Sequence, residues 1–480
     1  MDDPKLVSKR DGQFLRGMYG SVLLLEDYYA YRKDLMSLAT YERKGRLPKG
    51  TPRIEYAWRE GGGYMALPRG LYQEVCRRTG MSTPQNVTVS FPPQNFGFHR
   101  PLREEQKQPA LTIARSGGGV LVGATGTGKT IVAMALVASF GQPTLWLTHR
   151  KSLARLALKT ARACFNLPPS AYGLVGSGVR DDIGTHFTVG MLASFAGFSE
   201  STWRKHRYAE RFGTIVVDEV HHIPARTYSQ VITRFSAAHR IGLSATPDRT
   251  DGLGPLMVAM FGPTVAKIDT SDAIRLGHII LPKIYRVPTA LQFHDDPEQM
   301  YRYWADVQHI QATDPERNLL LCRLIAHLRE ERRRIMVMVT LRKHANTLSQ
   351  MLRGFGIPAA VVDGSTNLRE RDKLATACVK GEAVLIGTDV LYEGVDLPLV
   401  DRLILATPTK GIAYKEGDRT VLHPRLQQQM GRIARAAKGK SGAIVYDVYD
   451  PEVRTLRRQA NQRRVAYRML GLEVKRLIVR

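Results

Sequence analysis

From residue 99 onward, short apolar runs rich in β-branched residues alternate with polar, helix-patterned stretches. GGVLVGA (118–124), PTLWLT (143–148), HFTVGML (186–192) and GTIVVDE (213–219) are each followed by a polar or glycine-containing turn and a helical pattern. Runs that are apolar at nearly every position suit strands covered on both faces, as in a parallel sheet between helices. The pattern weakens near 265–315, which predicts a connector. It resumes in RRIMVMVT (333–340), PAAVVDG (358–364), EAVLIGT (382–388), VDRLILATP (400–408) and GAIVYDV (442–448). The expected fold class is α/β, with tandem parallel-sheet domains at 99–268 and 269–480. VRTLRRQANQRRVAYRML (453–470) reads as a basic helix near the end of the second.

Residues 1–98 follow another pattern. SVLLLEDYYAY predicts a strand or strand pair, and RIEYAWREGGGYMALPRG two strands around a glycine turn at 61–63. NVTVSF (86–91) alternates like a strand and is closed by Pro92-Pro93. A small α+β domain without a catalytic cluster is expected here.

A length of 480 residues calls for two or three domains. The formal charge of +26 is spread over every segment and favours a polyanionic partner, with nucleic acid first. Arg53, Arg59, Arg69, Arg77 and Arg78 are candidates for gripping duplex from the N-terminal domain. No run of about 18 apolar residues occurs, so no membrane span is expected. No secretory signal is read at the N-terminus. Cys76, Cys164, Cys322 and Cys378 are far apart, which fits a reducing cytoplasm better than a disulfide framework or a zinc site.

GATGTGKT (123–130) fits the phosphate-loop pattern in full, between an apolar strand and the helical run IVAMALVASF. Glycines at 123, 126 and 128 let backbone N–H groups turn inward around an anion. Ala124, Thr125 and Thr127 complete the loop, and the helix N-terminus adds a favourable dipole. Lys129 is suited to the β- and γ-phosphates of ATP, and Thr130 to Mg²⁺.

IVVDEVHHIP (215–224) sets Asp218, Glu219, His221 and His222 together. A zinc site, an acid/base pair and a nucleotide-dependent acid pair are all open from the letters. Zinc ligands need helix-spaced or loop positions that converge, whereas here the acids end a strand and the histidines are adjacent. With the phosphate loop upstream, Asp218 is assigned to Mg²⁺ and Glu219 to the attacking water. His222 is assigned to coupling between the nucleotide and the neighbouring loops.

DEVHH and GATGTGKT, together with LSATPDRTDG (243–252 region) and QQQMGRIAR (427–435), occur in one order along the chain. This set resembles superfamily 2 helicases of the DEAD/DEAH-box type over about 99–450. LREEQ (102–106) and ATPDRTDG are most similar to the XPB/RadD/UvsW group of DNA helicases and translocases, and the compact size resembles phage branch-migration helicases. The resemblance implies two RecA-like domains preceded by the α+β domain. It implies that Gln106 reads adenine, supported by Arg103. It places Thr148, His149 and Arg150 of LTHRKSL, Thr188 of TVGMLASF, Thr340 of VMVTLRKHANTL and Thr388 of IGTDVLYEGVDLP on the nucleic-acid face. Gly394 and Asp396 fall near nucleotide, and Ser244 and Thr246 link hydrolysis to movement. Gln428, Gly431, Arg432 and Arg435 fit Q-x-x-G-R-x-x-R. An arginine on a second domain can meet γ-phosphate charge, and Arg435 is the first choice with Arg432 beside it.

The chain departs from the family pattern in three places. Val220 stands where relatives carry alanine, and His149-Arg150 where many carry Pro-Arg. GIAYKEGDRTV (411–421) is longer than a minimal connection. It reads equally as a strand-splitting hairpin, with Tyr414 stacking at a junction, or as a surface loop.

The function implied is a monomeric ATP- and Mg²⁺-dependent DNA helicase of 3′–5′ polarity. It would act on forks, Holliday junctions or single strands beside recombination or replication proteins, in a cytoplasm that is the host's if the chain is phage-encoded. A duplex translocase without strand separation is the nearest alternative. An RNA helicase and a non-hydrolysing binding module follow.

Overall fold

The computed structural model describes residues 13–15, 22–25, 40–41, 54–55, 58–59, 65–79, 88–176, 179–220, 226–245, 254–293, 300–388, 391, 397, 399–416, 419–440 and 442–479. The chain forms two compact units. The first runs to Asp269, without Thr125–Thr127, and the second begins at Thr270.

The first unit is built on β1 (Gly118–Val122), β2 (Thr144–Thr148), β3 (Tyr172–Gly176), β4 (Val179–Asp182), β5 (Phe187–Met191), β6 (Thr214–Val217), β7 (His239–Ser244) and β8 (Thr264–Lys267). Their order in the sheet is β4-β3-β5-β2-β6-β7-β1-β8. Only the edge strand β4 runs antiparallel to its neighbour. Successive side chains of these strands enter opposite cores. Val120, Val122, Leu145, Leu147, Ile215 and Val217 pack on one face. Leu121, Trp146, Val216, Ile241 and Leu243 pack on the other, beside Val132 and Leu136. Each fully buried aliphatic side chain contributes roughly 1.5–3 kcal/mol, so strands apolar at every position are what a sheet covered on both sides requires. The helices that matter below are α1 (Glu104–Ser116), α2 (Lys129–Phe140), α3 (Lys151–Cys164) and α4 (Gly254–Phe261).

In the N-terminal region, strands Gln13–Leu15, Val22–Leu25, Trp58–Arg59 and Met65–Pro68 form an antiparallel sheet, with Trp58 opposite Ala66 and Arg59 opposite Met65. Leu67, Leu71 and Val75 then join the same core as Met257 and Phe261 of α4. Of the strand expected at 86–91, the described residues 88–91 form no more than a bridge. Val89 makes a single bridge to Ala237, and Pro92-Pro93 cannot donate to a ladder that would extend it.

The second unit holds β9 (Lys283–Pro288), β10 (Ile335–Met338), β11 (Ala359–Val362), β12 (Val384–Gly387), β13 (Arg402–Leu405), β14 (Ile412–Glu416), β15 (Arg419–Leu422), β16 (Ile444–Tyr449) and β17 (Val474–Arg476). Seven of these form a parallel sheet, in the order β11-β12-β10-β13-β16-β9-β17. β14 and β15 pair separately as an antiparallel hairpin, one of the two readings open for 411–421. The helices are α5 (Met300–Thr313), α6 (Pro315–Glu330), α7 (Arg342–Gly354), α8 (Pro424–Ala434) and α9 (Arg454–Met469). The region expected to be a connector contains β9, a full member of the sheet beside β16. Lys283, Tyr285 and Arg286 interrupt its apolar pattern while only Ile284 and Val287 among them are fully covered.

Candidate nucleotide and nucleic-acid site

Register brings the motif residues of the first unit to one edge. Val217 on β6 lies opposite Leu147 on β2 and Gly242 on β7, and Ser244 lies opposite Val122 on β1. The chain therefore leaves β1, β2, β6 and β7 at neighbouring carboxyl ends, where open α/β sheets bind ligands. Backbone bonds tie these exits together. Gly123 N–H donates to the Ser244 carbonyl (3.1 Å), and Asp218 N–H to the Leu147 carbonyl (3.1 Å).

The phosphate loop turns into α2 through Gly126 and Gly128, at φ of 95° and 82°. L side chains seldom adopt these angles. A Cβ on Gly128 would also displace the Gln106 amide, whose Nε2 would lie 2.3 Å away. Gln106 is buried on α1, where its Oε1 accepts from the Arg103 N–H at 3.0 Å. The two residues expected at the adenine thus cap α1 against the phosphate loop.

Lys129 is buried, and its ammonium donates to the carbonyl oxygens of Gly123 (2.7 Å) and Ala124 (3.4 Å). Burial lowers its pKa, opposed by the charges of Glu219 and Asp218. The loop cation and both acids therefore share one electrostatic site. Thr127 is fully buried and Thr130 partly so, one residue into α2.

Asp218 Oδ1 accepts from Glu219 N–H at 3.0 Å. Glu219 has φ of 52°, left-handed without being glycine, which costs roughly 1–2 kcal/mol and occurs at sites that constrain a side chain's direction. Val220 is completely buried against β7, where a Cβ on Gly242 would approach its side chain to 3.1 Å. Gly242 thus makes the room that valine needs in place of alanine.

This arrangement fits a bound nucleotide. It supplies a backbone turn open to an anion, a buried ammonium, a hydroxyl at Thr130 and two carboxylates that end an adjacent strand. Thr130 and Asp218 are the groups suited to a Mg²⁺ ion. Among the described residues no cluster of three or more His, Cys, Asp or Glu side chains is placed to hold a metal by itself. No described helix is long and apolar enough to cross a membrane.

In the second unit, Gln428, Gly431 and Arg432 lie along α8, and Arg435 follows its last residue with extended backbone. Lys440 Nζ donates to the carbonyls of Ile433 (2.6 Å) and Arg435 (3.0 Å), closing the helix end. Burial lowers the Lys440 pKa to about 8, with Asp401 opposing and Arg435 adding to the fall. His423 caps the other end of α8, its Nδ1 accepting from Arg425 N–H at 3.3 Å, and burial lowers its pKa to about 4. Thr340 and Thr407, after β10 and β13, bring their hydroxyls to 3.1 Å. Thr388 follows β12 and is partly exposed.

Two expectations for nucleic-acid contact are corrected. Thr188 is 0% exposed in the middle of the first sheet, between Leu145 and Gly173. Thr148 is also 0% exposed, its hydroxyl turned to the Arg150 carbonyl (3.2 Å). Of that group in the first unit, His149 and Arg150 are partly exposed. Of the proposed N-terminal grip, Arg69 donates to the carbonyls of Ala237 and Ala238, and Arg77 and Arg78 pair with Glu74. His221, His222, Thr246, Gly394, Asp396 and Arg53 lie outside the described residues, as do the side chains of Arg59 and Tyr414. Sequence reasoning missed Gly242 and Lys440. A glycine inside the strand HRIGLS signals close approach, and a lysine just past a helix end suits its carbonyls.

Residues 99–249 match the family model "Type III restriction enzyme, res subunit", and residues 316–437 match "Helicase conserved C-terminal domain". The "Probable helicase D10" of Escherichia phage T5 is 27% identical over 377 residues, covering 77% of this chain and 76% of that protein. The "DNA 3'-5' helicase XPB" of Mycobacterium tuberculosis is 26% identical over 362 residues, covering 72% of this chain and 60% of that protein. The structure of S. cerevisiae Dbp5 bound to RNA and ADP BeF3 superposes with a TM-score of 0.57 at 15% identity, covering 86% of this chain and 93% of that one. This last likeness is one of fold, two RecA-like parallel sheets in tandem.

Proposed function

This chain belongs to superfamily 2 of the helicases, and we propose that it is an ATP-driven 3′–5′ motor that separates or remodels forked and recombining DNA. The observation that carries the reading is the edge of the first sheet, where a backbone bond joins the loop of buried Lys129 to Ser244, another holds Asp218 to the end of β2, and Asp218 accepts from the Glu219 N–H. In this reading Lys129 and the loop N–H groups hold the triphosphate. Glu219 accepts the proton of the attacking water, its direction set by its left-handed backbone. Mg²⁺, held by Thr130 and Asp218, supplies charge neutralisation at the phosphates. Gln106 and Arg103 are assigned to the adenine, and Gly394 and Asp396 to the nucleotide. Arg435 and Arg432 supply positive charge toward the γ-phosphate. Ser244, Thr246 and His222 pass the nucleotide state to the nucleic-acid contacts.

Relatives named as DNA 3'-5' helicases support DNA, while one named as a putative ATP-dependent RNA helicase keeps RNA as the alternative. The hairpin of β14 and β15, bearing Tyr414, supports strand separation over duplex translocation alone. His149, Arg150, Thr340 and Thr388 are the remaining candidates for tracking contacts. Residues 1–98 are proposed to grip duplex beside the junction.

The test is ATP hydrolysis by wild type and Glu219→Gln without nucleic acid and with single-stranded DNA, forked DNA, a Holliday junction and RNA. Stimulation by branched DNA above RNA, lost in the variant, is expected. Stimulation by RNA alone would move the chain to RNA, and no turnover with any of them would undo the catalytic assignments.

A further inference from the structure

Helix α9 carries five arginines on one face. At 3.6 residues per turn, Arg454, Arg457, Arg458, Arg464 and Arg468 fall within an arc of about 120°, and all five are exposed. The opposite face, with Leu456, Ala460, Arg463, Ala466 and Tyr467, is buried. No Asp or Glu occurs anywhere between Arg454 and Met469. Among the described residues no carboxylate lies within ion-pair distance of Arg454, Arg458, Arg464 or Arg468.

A helix face that serves only solubility mixes signs, because opposite charges four residues apart stabilise it and like charges repel. Here Arg454 with Arg458, and Arg464 with Arg468, stand four apart with nothing between them to offset the repulsion. A polyanion would offset it. Arginine is also the cation whose planar fork fits phosphate oxygens in pairs. The stripe is on the order of 21 Å long from Arg454 to Arg468, enough to meet several successive phosphates.

The buried face gives the stripe a rigid mount. Arg463 Nε and Nη2 donate to Asp447 Oδ1 on β16 at 2.9 and 2.8 Å, and Nη1 donates to the Thr409 carbonyl at 3.1 Å. Gly411 has no Cβ, so the backbone of α9 at Arg463 closes against the chain just before β14. The stripe is thereby fixed to the base of the hairpin.

We propose that α9 is a contact for the DNA phosphate backbone, which holds DNA in fixed register to the β14–β15 hairpin. This rests on the reading of the chain as a DNA motor. The full chain with Arg454→Gln, Arg458→Gln, Arg464→Gln and Arg468→Gln is compared with wild type for binding of forked DNA across a salt series. The slope of log affinity against log salt should fall by about 3, corresponding to three or more lost phosphate contacts, with affinity weakened on the order of 100-fold or more at 0.1 M salt. The melting temperature should not fall, because the four side chains are exposed and their removal relieves like-charge repulsion. A second variant, Arg204→Gln with Arg207→Gln, removes exposed arginines that pair with Glu200 and Glu210 and should leave the slope as it was. An unchanged slope in the quadruple variant, an equal fall per charge in the control, or a fall seen with RNA and not with DNA would overturn the proposal. Absence of DNA binding by the wild type would instead bring down the motor reading itself.

Discussion

In the first unit the buried guanidinium of Arg240 rests on the carbonyl oxygens of Phe235 and Met260, and no carboxylate reaches it among the described residues. Burial, with Arg69 adding to it, lowers its pKa to about 9. In the second unit Arg317 and Arg463 each close against a buried carboxylate, Asp450 and Asp447. Asp450 also accepts from Thr289 (2.6 Å) and Gln311 (2.7 Å), so one side chain joins the exit of β9, α5, α6 and the end of β16. Burial opposes the Asp450 charge, yet Arg317 and these donors hold its pKa below the usual value. The first unit thus keeps Asp218 and Glu219 at the edge where chemistry is expected, and the second uses its buried acids as scaffold. The same replacement, acid by amide, should therefore remove activity from one unit and stability from the other.

The sharpest test of that contrast is Glu219→Gln. Loss of a general base should lower nucleic-acid-stimulated ATP hydrolysis by about 10²–10⁴-fold, while the melting temperature stays within a degree or two of wild type. Asp450→Asn should do the reverse. It leaves the Arg317 charge buried without its partner, a loss of about 3–5 kcal/mol that a denaturant titration would show. If both variants lost activity at unchanged stability, the scaffold role of Asp450 would be wrong.

The same network predicts an acid-sensitive second unit. His344 Nε2 lies 2.9 Å from Asn318 Oδ1, and burial, with Arg317 adding to it, lowers the His344 pKa to about 3. The unfolded chain protonates this histidine near the ordinary imidazole value of 6.5. Between these values the unfolded state binds more protons, so stability falls as pH drops from about 6.5 toward 3. His344→Gln should flatten that dependence in melts taken across the range. In the first unit Arg240→Met should cost less than Asp450→Asn, roughly 1–3 kcal/mol for carbonyls left without their donor.

A steric effect of the same size as that of Arg240→Met is expected inside the first sheet. Gly242→Ala puts a methyl against Val220 and should destabilise by about 1–3 kcal/mol. Val220→Ala in the same chain should recover part of that loss. A double-mutant cycle measures the coupling, and simple additivity would show that the two residues do not constrain each other.

Nine strands of the two large sheets were legible because each is a continuous apolar run, and GATGTGKT and the pair Asp218-Glu219 because their chemistry demands those letters at a strand end. β7 and β9 were harder to read for one shared reason. Each carries an arginine, Arg240 or Arg286, that pattern reading assigns to solvent although the fold covers most of it. Arg317 was hidden likewise, as a buried cation on a helix that looks amphipathic. Thr188 failed in the opposite direction, since motif likeness placed it on a surface while its own apolar neighbours on β5 point to the sheet's interior. The hairpin could not be separated from a loop, because Glu416-Gly417-Asp418 suits either. The pairing of Tyr414 with Val421 decides it.

The most direct test of an ATP-driven DNA motor is strand displacement from forks bearing only a 3′ or only a 5′ single-stranded arm, with an RNA duplex alongside. ATP-dependent release from the 3′-armed DNA, absent with Glu219→Gln and weak on the 5′ arm, is predicted. Release from RNA alone, or from neither polarity of DNA while ATP is still hydrolysed, would contradict it.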